Sequence, residues 1–107
     1  MTEDGRITPW SVQTTVEERH VLVTVAGELD ASTAGDLRDC VVIGQGDVHL
    51  DLSGVSFIDS SGLAAIIEGH LRLASVDSRL VIVERSPAVQ RVFELSGVAD
   101  RLNLIGP

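Results

Sequence analysis

The sequence predicts an α/β domain whose mostly parallel sheet has about five strands, an antiparallel N-terminal edge strand and helices packed mainly on one face. Three observations lead there. Stretches with the two-residue period of a strand alternate with stretches of helical period along most of the chain. The first two strand-like stretches follow each other directly, as in a hairpin, whereas the later ones are separated by helices, as parallel strands are. With 107 residues, 44% of them hydrophobic, the chain has material for one core and no second one. Residues 1–107 are therefore read as a single domain.

Trp10, Val12, Thr14 and Val16 alternate with polar neighbours, and after "EER" comes "HVLVTVAG"; both are rich in the β-branched residues that suit a pleated strand. They predict a hairpin. A first helix follows, with Ala34, Leu37, Cys40 and Val41 on one face, Ser32 or Thr33 as its cap and Gly44 as the left-handed residue past its end. "VHLDL", Val48 to Leu52, alternates again as a strand. Leu63, Ile66, Ile67, His70, Leu71 and Ala74 then form the expected buried stripe of the clearest helix, with Glu68 and Arg72 on its wet side. "RLVIVE" is a continuous apolar run suited to a strand inside a sheet. Ser86 and Pro87 open a third helix that buries Val89, Val92 and Phe93 and stops at Gly97, and "LNLI" supplies a last short strand. The order is β-β-α-β-α-β-α-β. If consecutive strands are neighbours, right-handed crossovers put all three helices on one face.

Composition excludes several functions. Sixteen acidic residues against eight basic ones give a formal charge of −8, which repels a nucleic-acid backbone. All eight basic residues are arginines, so there is neither a Schiff-base lysine nor the lysine of a Walker-type phosphate loop. Cys40 stands alone, and His20, His49 and His70 are scattered without metal-ligand spacing, so no metal and no cofactor are expected. Glu3 and Asp4 stand where a secretory signal would be basic, and no apolar run is long enough to cross a bilayer. The expectation is a soluble cytoplasmic protein that does not insert in membranes.

The junction "FIDSSGLAAI", Phe57 to Ile66, holds the candidate chemistry. Val55, Phe57 and Ile58 lead to Asp59, so the junction lies at the carboxyl end of a strand and the start of a helix, the edge where open α/β sheets carry functional groups. Two readings stand side by side: Asp59, Ser60 and Ser61 as plain helix caps, or Ser60 as a chemical handle. A serine hydrolase is disfavoured, because Ile58 occupies the place of the glycine in a nucleophile elbow. His70 lies ten residues on, about 15 Å along a helix. Receipt of a phosphate suits the site better. A phosphoserine in the first helical turn meets free amides and the positive end of the dipole, while its charge of roughly −1.5 to −2 beside Asp59 repels an apolar or acidic partner.

"VHLDLSGVSFIDSSGLAAI", with "VTVAGELDAST" before it and "SPAVQRVFELSGV" after it, resembles the STAS domain of anti-sigma factor antagonists over nearly the whole chain. These stand-alone proteins free a sigma factor by sequestering its inhibitor. The resemblance implies a STAS-like fold and no catalytic activity. It implies binding of an anti-sigma factor that is also a serine kinase, release on phosphorylation of Ser60, and restoration by a serine phosphatase. On this mapping Asp59 shapes and polarises the acceptor, and Gly62 lets the partner approach closely. Glu28, Leu29 and Asp30, with Ser61 and Leu63, complete the docking surface. Asp30 as a mere cap of the first helix, and Ser61 as the true cap beside an idle Ser60, remain open alternatives. One departure is that the family pattern continues into a C-terminal helix packed on the sheet, whereas this chain stops at Pro107; the uncovered apolar area would mark a second interface or a homodimer contact. The competing functions are a cytoplasmic STAS accessory of an anion or lipid transport system and, more distantly, a small enzyme using Ser60.

Overall fold

The computed structural model of the chain describes residues 9–105; Glu3, Asp4 and Pro107 lie outside the described residues. Five strands form one sheet in the order β1-β2-β3-β4-β5. β1 (Ser11–Val16) runs antiparallel to β2 (His20–Leu29). β3 (Asp47–Ile58), β4 (Leu80–Arg85) and β5 (Asn103–Leu104) continue the sheet in parallel. The helices α1 (Ala34–Cys40), α2 (Ser60–Ala74) and α3 (Pro87–Ser96) fill the crossovers, and a single 3-10 turn, Ala99–Arg101, precedes β5. The predicted order and the mixed sheet are both present.

Alternation builds the core. Val21, Val23 and Val25 of β2, Val48, Leu50 and Leu52 of β3, and Leu80 and Ile82 of β4 join one buried cluster with Leu37 of α1, Ile66 and Leu73 of α2, and Val89 and Phe93 of α3. Side chains of alternate strand residues point to one face, so all three helices cover that face, as consecutive right-handed crossovers require.

β3 is longer than "VHLDL" because its period changes partway. After Leu52 the buried residues are Val55 and Ile58, three apart instead of two. The pairing with β2 slips by one residue between Thr24 and Ala26 and again between Gly27 and Glu28, each time with an extra residue in β3. Each such bulge inserts a residue and re-aims the next side chain. The second leaves Phe57 48% exposed at the end of the strand that delivers the junction. Gly54 fits the first, since a Cβ there would stand 2.9 Å from the Cβ of Ala26.

Two expectations about the helices are corrected. α1 ends at Cys40, not at Gly44, because Val41 turns extended and buries its side chain. Its Cγ1 lies 3.2 Å from where a Cβ on Gly69 would be. Gly44 keeps its positive φ of 102° in the turn that follows. The buried stripe of α2 is Gly62, Ala65, Ile66, Gly69 and Leu73. Ile67 and His70 are only half-buried, and Leu71 is 61% exposed. Small residues let α2 lie close against its neighbours, and a stripe read from hydropathy passes over glycine. Glu68, on the wet side as expected, pairs across to Arg38 of α1 at 3.3 Å. The third helix agrees with its signals: Ser86 accepts from the Val89 amide, Pro87 sits in the first turn and Gly97 closes the end at φ 74°.

Gly27 lies inside β2 and does not end it. A Cβ there would meet the Trp10 Cα at 2.7 Å. Trp10 itself stands just before β1 and donates its indole N–H to Asp36 of α1 at 2.9 Å, tying the hairpin to the first helix.

The opposite sheet face carries His20 and His49, whose rings stack with centroids 3.9 Å apart. Partial burial, the neighbouring His20 and Arg79 hold His49 below its ordinary value of 6.5, against an opposing pull from Asp47. The unfolded chain therefore binds this proton more readily than the folded one, so the stability is whole above about pH 6.5 and is lost as the pH falls through the folded value. Thermal denaturation between about pH 7.5 and about pH 5.5 is expected to give a falling Tm whose slope shrinks in His49→Gln; an unchanged slope in that variant would assign the loss to other groups.

Candidate functional site

The junction is assembled from the ends of β2 and β3. Glu28 pairs with Phe57 and Leu29 with Ile58 across the last ladder positions, and the Asp59 amide donates to the Leu29 carbonyl at 3.2 Å. "GELD" and "DSSG", far apart in sequence, are thereby joined.

Asp59 is the cap of α2. Its Oδ1 accepts from the amides of Ser61 at 2.9 Å and Gly62 at 3.1 Å, an arrangement worth about 1 kcal/mol to a helix. Ser61 is thus a donor to the cap and not the cap itself. Ser60, the first helical residue, is exposed, and its hydroxyl has no hydrogen bond among the described residues. Because Asp59 already holds the amides of Ser61 and Gly62, a phosphate on Ser60 would not find them free. It would project outward, attracted by the helix dipole and repelled by the Asp59 carboxylate.

The other expected surface residues divide by depth. Glu28, Asp30, Asp59, Ser61 and Leu63 are partly exposed, whereas Leu29 and Gly62 are buried. Leu29, at 0% exposure, supports the surface from beneath and does not form it. The reason for Gly62 is corrected as well: a Cβ there would lie 2.5 Å from the Leu29 carbonyl oxygen and 2.7 Å from its Cγ. The glycine makes room for β2, not for an approaching partner.

Asp30 organises the loop beside Ser60. Its Oδ1 accepts from the Ser32 hydroxyl at 2.7 Å and amide at 3.0 Å, and its carbonyl accepts the Ala34 amide at 2.8 Å. The hydrogen bond from the Ser32 hydroxyl, followed by those from the Ser32 amide and from Thr33, outweighs desolvation and lowers the Asp30 carboxyl below its ordinary value. Thr33 occupies the expected cap position of α1 but makes no cap bond. Its hydroxyl instead donates to the Glu28 carbonyl at 2.8 Å and accepts the Asp30 amide at 2.9 Å. Thr33 is therefore the latch of the Glu28–Asp30 loop, a role that its reading as a cap concealed.

Ser60 opens on a groove of about 350 Å³ lined by Ile58, Asp59, Leu63, Val92, Leu95 and Ser96. The α3 residues were not anticipated. Leu95 is 76% exposed and gives this rim an apolar character. One signal was available: Leu95 lies off the stripe of Val89, Val92 and Phe93, an apolar residue that the core did not use. No histidine lines the groove. Of the three, His20 and His49 stack on the sheet, and His70 lines a separate cavity with Leu102, so Ser60 has no imidazole base in its groove. Among the described residues no cluster suits a metal ion and no helix is long and apolar enough to cross a membrane.

This architecture has known counterparts. An anti-sigma-B factor antagonist of Staphylococcus epidermidis is 31% identical over 98 residues, covering 88% of this chain and 91% of that protein. One from Staphylococcus aureus is 30% identical over the same shares. The crystal structure of an anti-sigma factor antagonist from Mycobacterium paratuberculosis superimposes with a TM-score of 0.81 at 24% identity, over 92% of this chain and 87% of that one. The STAS domain model matches residues 11–106, the whole of the sheet, helices and junction just described, and the chain belongs to the STAS domain family.

Proposed function

We propose that this protein is an anti-sigma factor antagonist without catalytic activity of its own. In its unphosphorylated form it binds an anti-sigma factor serine kinase and so frees a sigma factor. Phosphorylation of Ser60 ends the binding, and a serine phosphatase restores it. The observation that carries the reading is the free, exposed Ser60 hydroxyl at the first position of α2, relieved of capping by Asp59 and bordered by an apolar groove. A kinase can reach such a hydroxyl without unfolding the helix, and the new charge falls where a partner has to desolvate Leu95, Phe57 and Leu63. The names of the relatives at 30–31% identity support the same reading.

Glu28 and Asp30 supply the polar part of the docking rim, with Asp59, Ser61 and Leu63 around the acceptor, while Leu29 and Gly62 hold the two segments in register. Burial of apolar side chains inside a charged rim is the usual anatomy of a protein interface.

The test is intact mass of the purified protein after incubation with ATP and a lysate of its own host, beside Ser60→Ala. The expected result is a gain of one phosphate in the wild type and none in the variant. No gain, under conditions where another phosphoprotein in the lysate is labelled, would favour a STAS accessory of an anion or lipid transport system, with "DSSG" serving only to start α2.

A further inference from the structure

The end of β2 is held by a side chain that stands in for a missing strand. β1 pairs with β2 no further than Ser11 opposite Ala26, so Glu28 to Asp30 have no strand on that side among the described residues. On the other side β3 runs on beside them, with Glu28 opposite Phe57, Leu29 opposite Ile58 and the Leu29 carbonyl accepting the Asp59 amide at 3.2 Å. Main-chain groups of successive strand residues point to opposite edges, so the Glu28 carbonyl and the Asp30 amide face the edge that β1 has left. Thr33 meets both: its hydroxyl donates to the first at 2.8 Å and accepts from the second at 2.9 Å.

The latch joins two parts that are otherwise held separately. Asp30 Oδ1 and the Asp30 carbonyl are taken by Ser32, Thr33 and Ala34, bonds that lie within the turn leading into α1. The bond from Thr33 to the Glu28 carbonyl ties that turn back onto β2, across the buried Leu29. Glu28 and Asp30 are thus fixed on either side of a pivot, with their side chains partly exposed beside Ser60. Thr33 stands at the cap position of α1 without making a cap bond, so its hydroxyl serves the loop and not the helix.

We propose that Thr33 is a positioning residue for partner docking. It acts through Glu28 and Asp30, holding them where the anti-sigma factor kinase meets them, and so sets the affinity of the docking face without altering the Ser60 hydroxyl. This inference rests on the docking role proposed above for Glu28 and Asp30. The latch needs one hydroxyl that donates and accepts at once, so serine can replace threonine here, whereas valine has the same shape and can make neither bond. Thr33 is half-buried and outside the core cluster, so both replacements leave the packing of the sheet and helices in place.

The test follows phosphate gain by intact mass, with ATP and a lysate of the protein's own host, over a range of concentrations of the full chain as wild type, Thr33→Val and Thr33→Ser. Amide hydrogen exchange of Asp30, read by NMR, runs beside it. Thr33→Val is expected to raise KM by about tenfold with kcat unchanged, the mark of lost binding and not of a damaged acceptor. In the same variant the Asp30 amide should exchange about tenfold faster or more, through local opening of the loop. Thr33→Ser should return both to within about threefold of wild type. The proposal is overturned if Thr33→Val keeps the wild-type KM, if its Asp30 amide is as protected as before, or if Thr33→Ser is as impaired as Thr33→Val. A wild-type chain that gains no phosphate overturns the docking reading and this inference with it, whereas a phosphorylated wild type matched by Thr33→Val overturns this inference alone.

Discussion

Ser60→Asp is expected to weaken binding of the cognate anti-sigma factor by about a hundredfold, because a like or uncompensated charge in a docking face costs several kcal/mol. The fold should scarcely notice. Ser60 is exposed at the first position of α2 and carries no capping bond, and a carboxylate at a helix start gains about 0.3–1 kcal/mol from the dipole. Repulsion from Asp59, which lies next to it, offsets part of that gain, leaving Tm within a few degrees of wild type. Calorimetric titration of both proteins with the anti-sigma factor, beside a thermal melt, checks the two halves separately. Equal affinity with equal Tm would remove the charge switch, and loss of folding would mean that Ser60 has a structural duty not visible in its surroundings. Ser60→Ala should keep binding and lose the ability to be switched off.

The largest effect on stability is expected at Gly62. Its missing Cβ would stand 2.5 Å from a backbone oxygen, that of Leu29, and 2.7 Å from the Leu29 Cγ. A strand end cannot swing aside as a flexible side chain can, particularly since the same oxygen accepts the Asp59 amide. Gly62→Ala should therefore cost about 2–3 kcal/mol, the upper range of overpacking, and lower Tm by roughly 10 °C. Gly35→Ala is the matched control, with nothing within 4 Å of its added Cβ; in a helix that change should stabilise by about 0.5–1 kcal/mol. Urea titration of the pair decides it. If the Gly62 variant lost less than about 0.5 kcal/mol, the close approach of β2 and α2 would not be the reason for glycine. Because Leu29 sits between Glu28 and Asp30, the same variant should also weaken partner binding in protein that remains folded.

The two variants probe different parts of one junction. Ser60 acts through charge presented outward, Gly62 through space kept empty inward. An intact fold with binding lost in the first, and a weakened fold in the second, would separate the docking surface from the frame that carries it.

The order of strands and helices was legible in the sequence because each element carries its own local signal. β2 and the first half of β3 alternate, β4 is a short apolar run, and α3 is bracketed by Ser86, Pro87 and Gly97. The junction was legible as a place, since an apolar run ends at Ile58 and a helix begins at Ser60. Its internal division of labour was not. Any of Asp59, Ser60 and Ser61 is a competent cap by residue type, and only the extended backbone at Asp59, with its carboxylate over the amides of Ser61 and Gly62, selects one of them.

By itself, then, the sequence determined the α/β class, the order of strands and helices along the chain, and a free or capping serine at the head of α2. Tertiary structure alone decided the rest, because it depends on contacts between segments distant along the chain. Two bulges in β3 turned Phe57 outward, and glycines at 62 and 69 rotated the buried stripe of α2. Thr33 was drawn from capping into latching Glu28 to Asp30, and Leu95 of α3 was brought to the rim of Ser60. Local propensity places elements, whereas the space left between packed elements decides which side chains are spent holding the fold and which remain free to meet a partner.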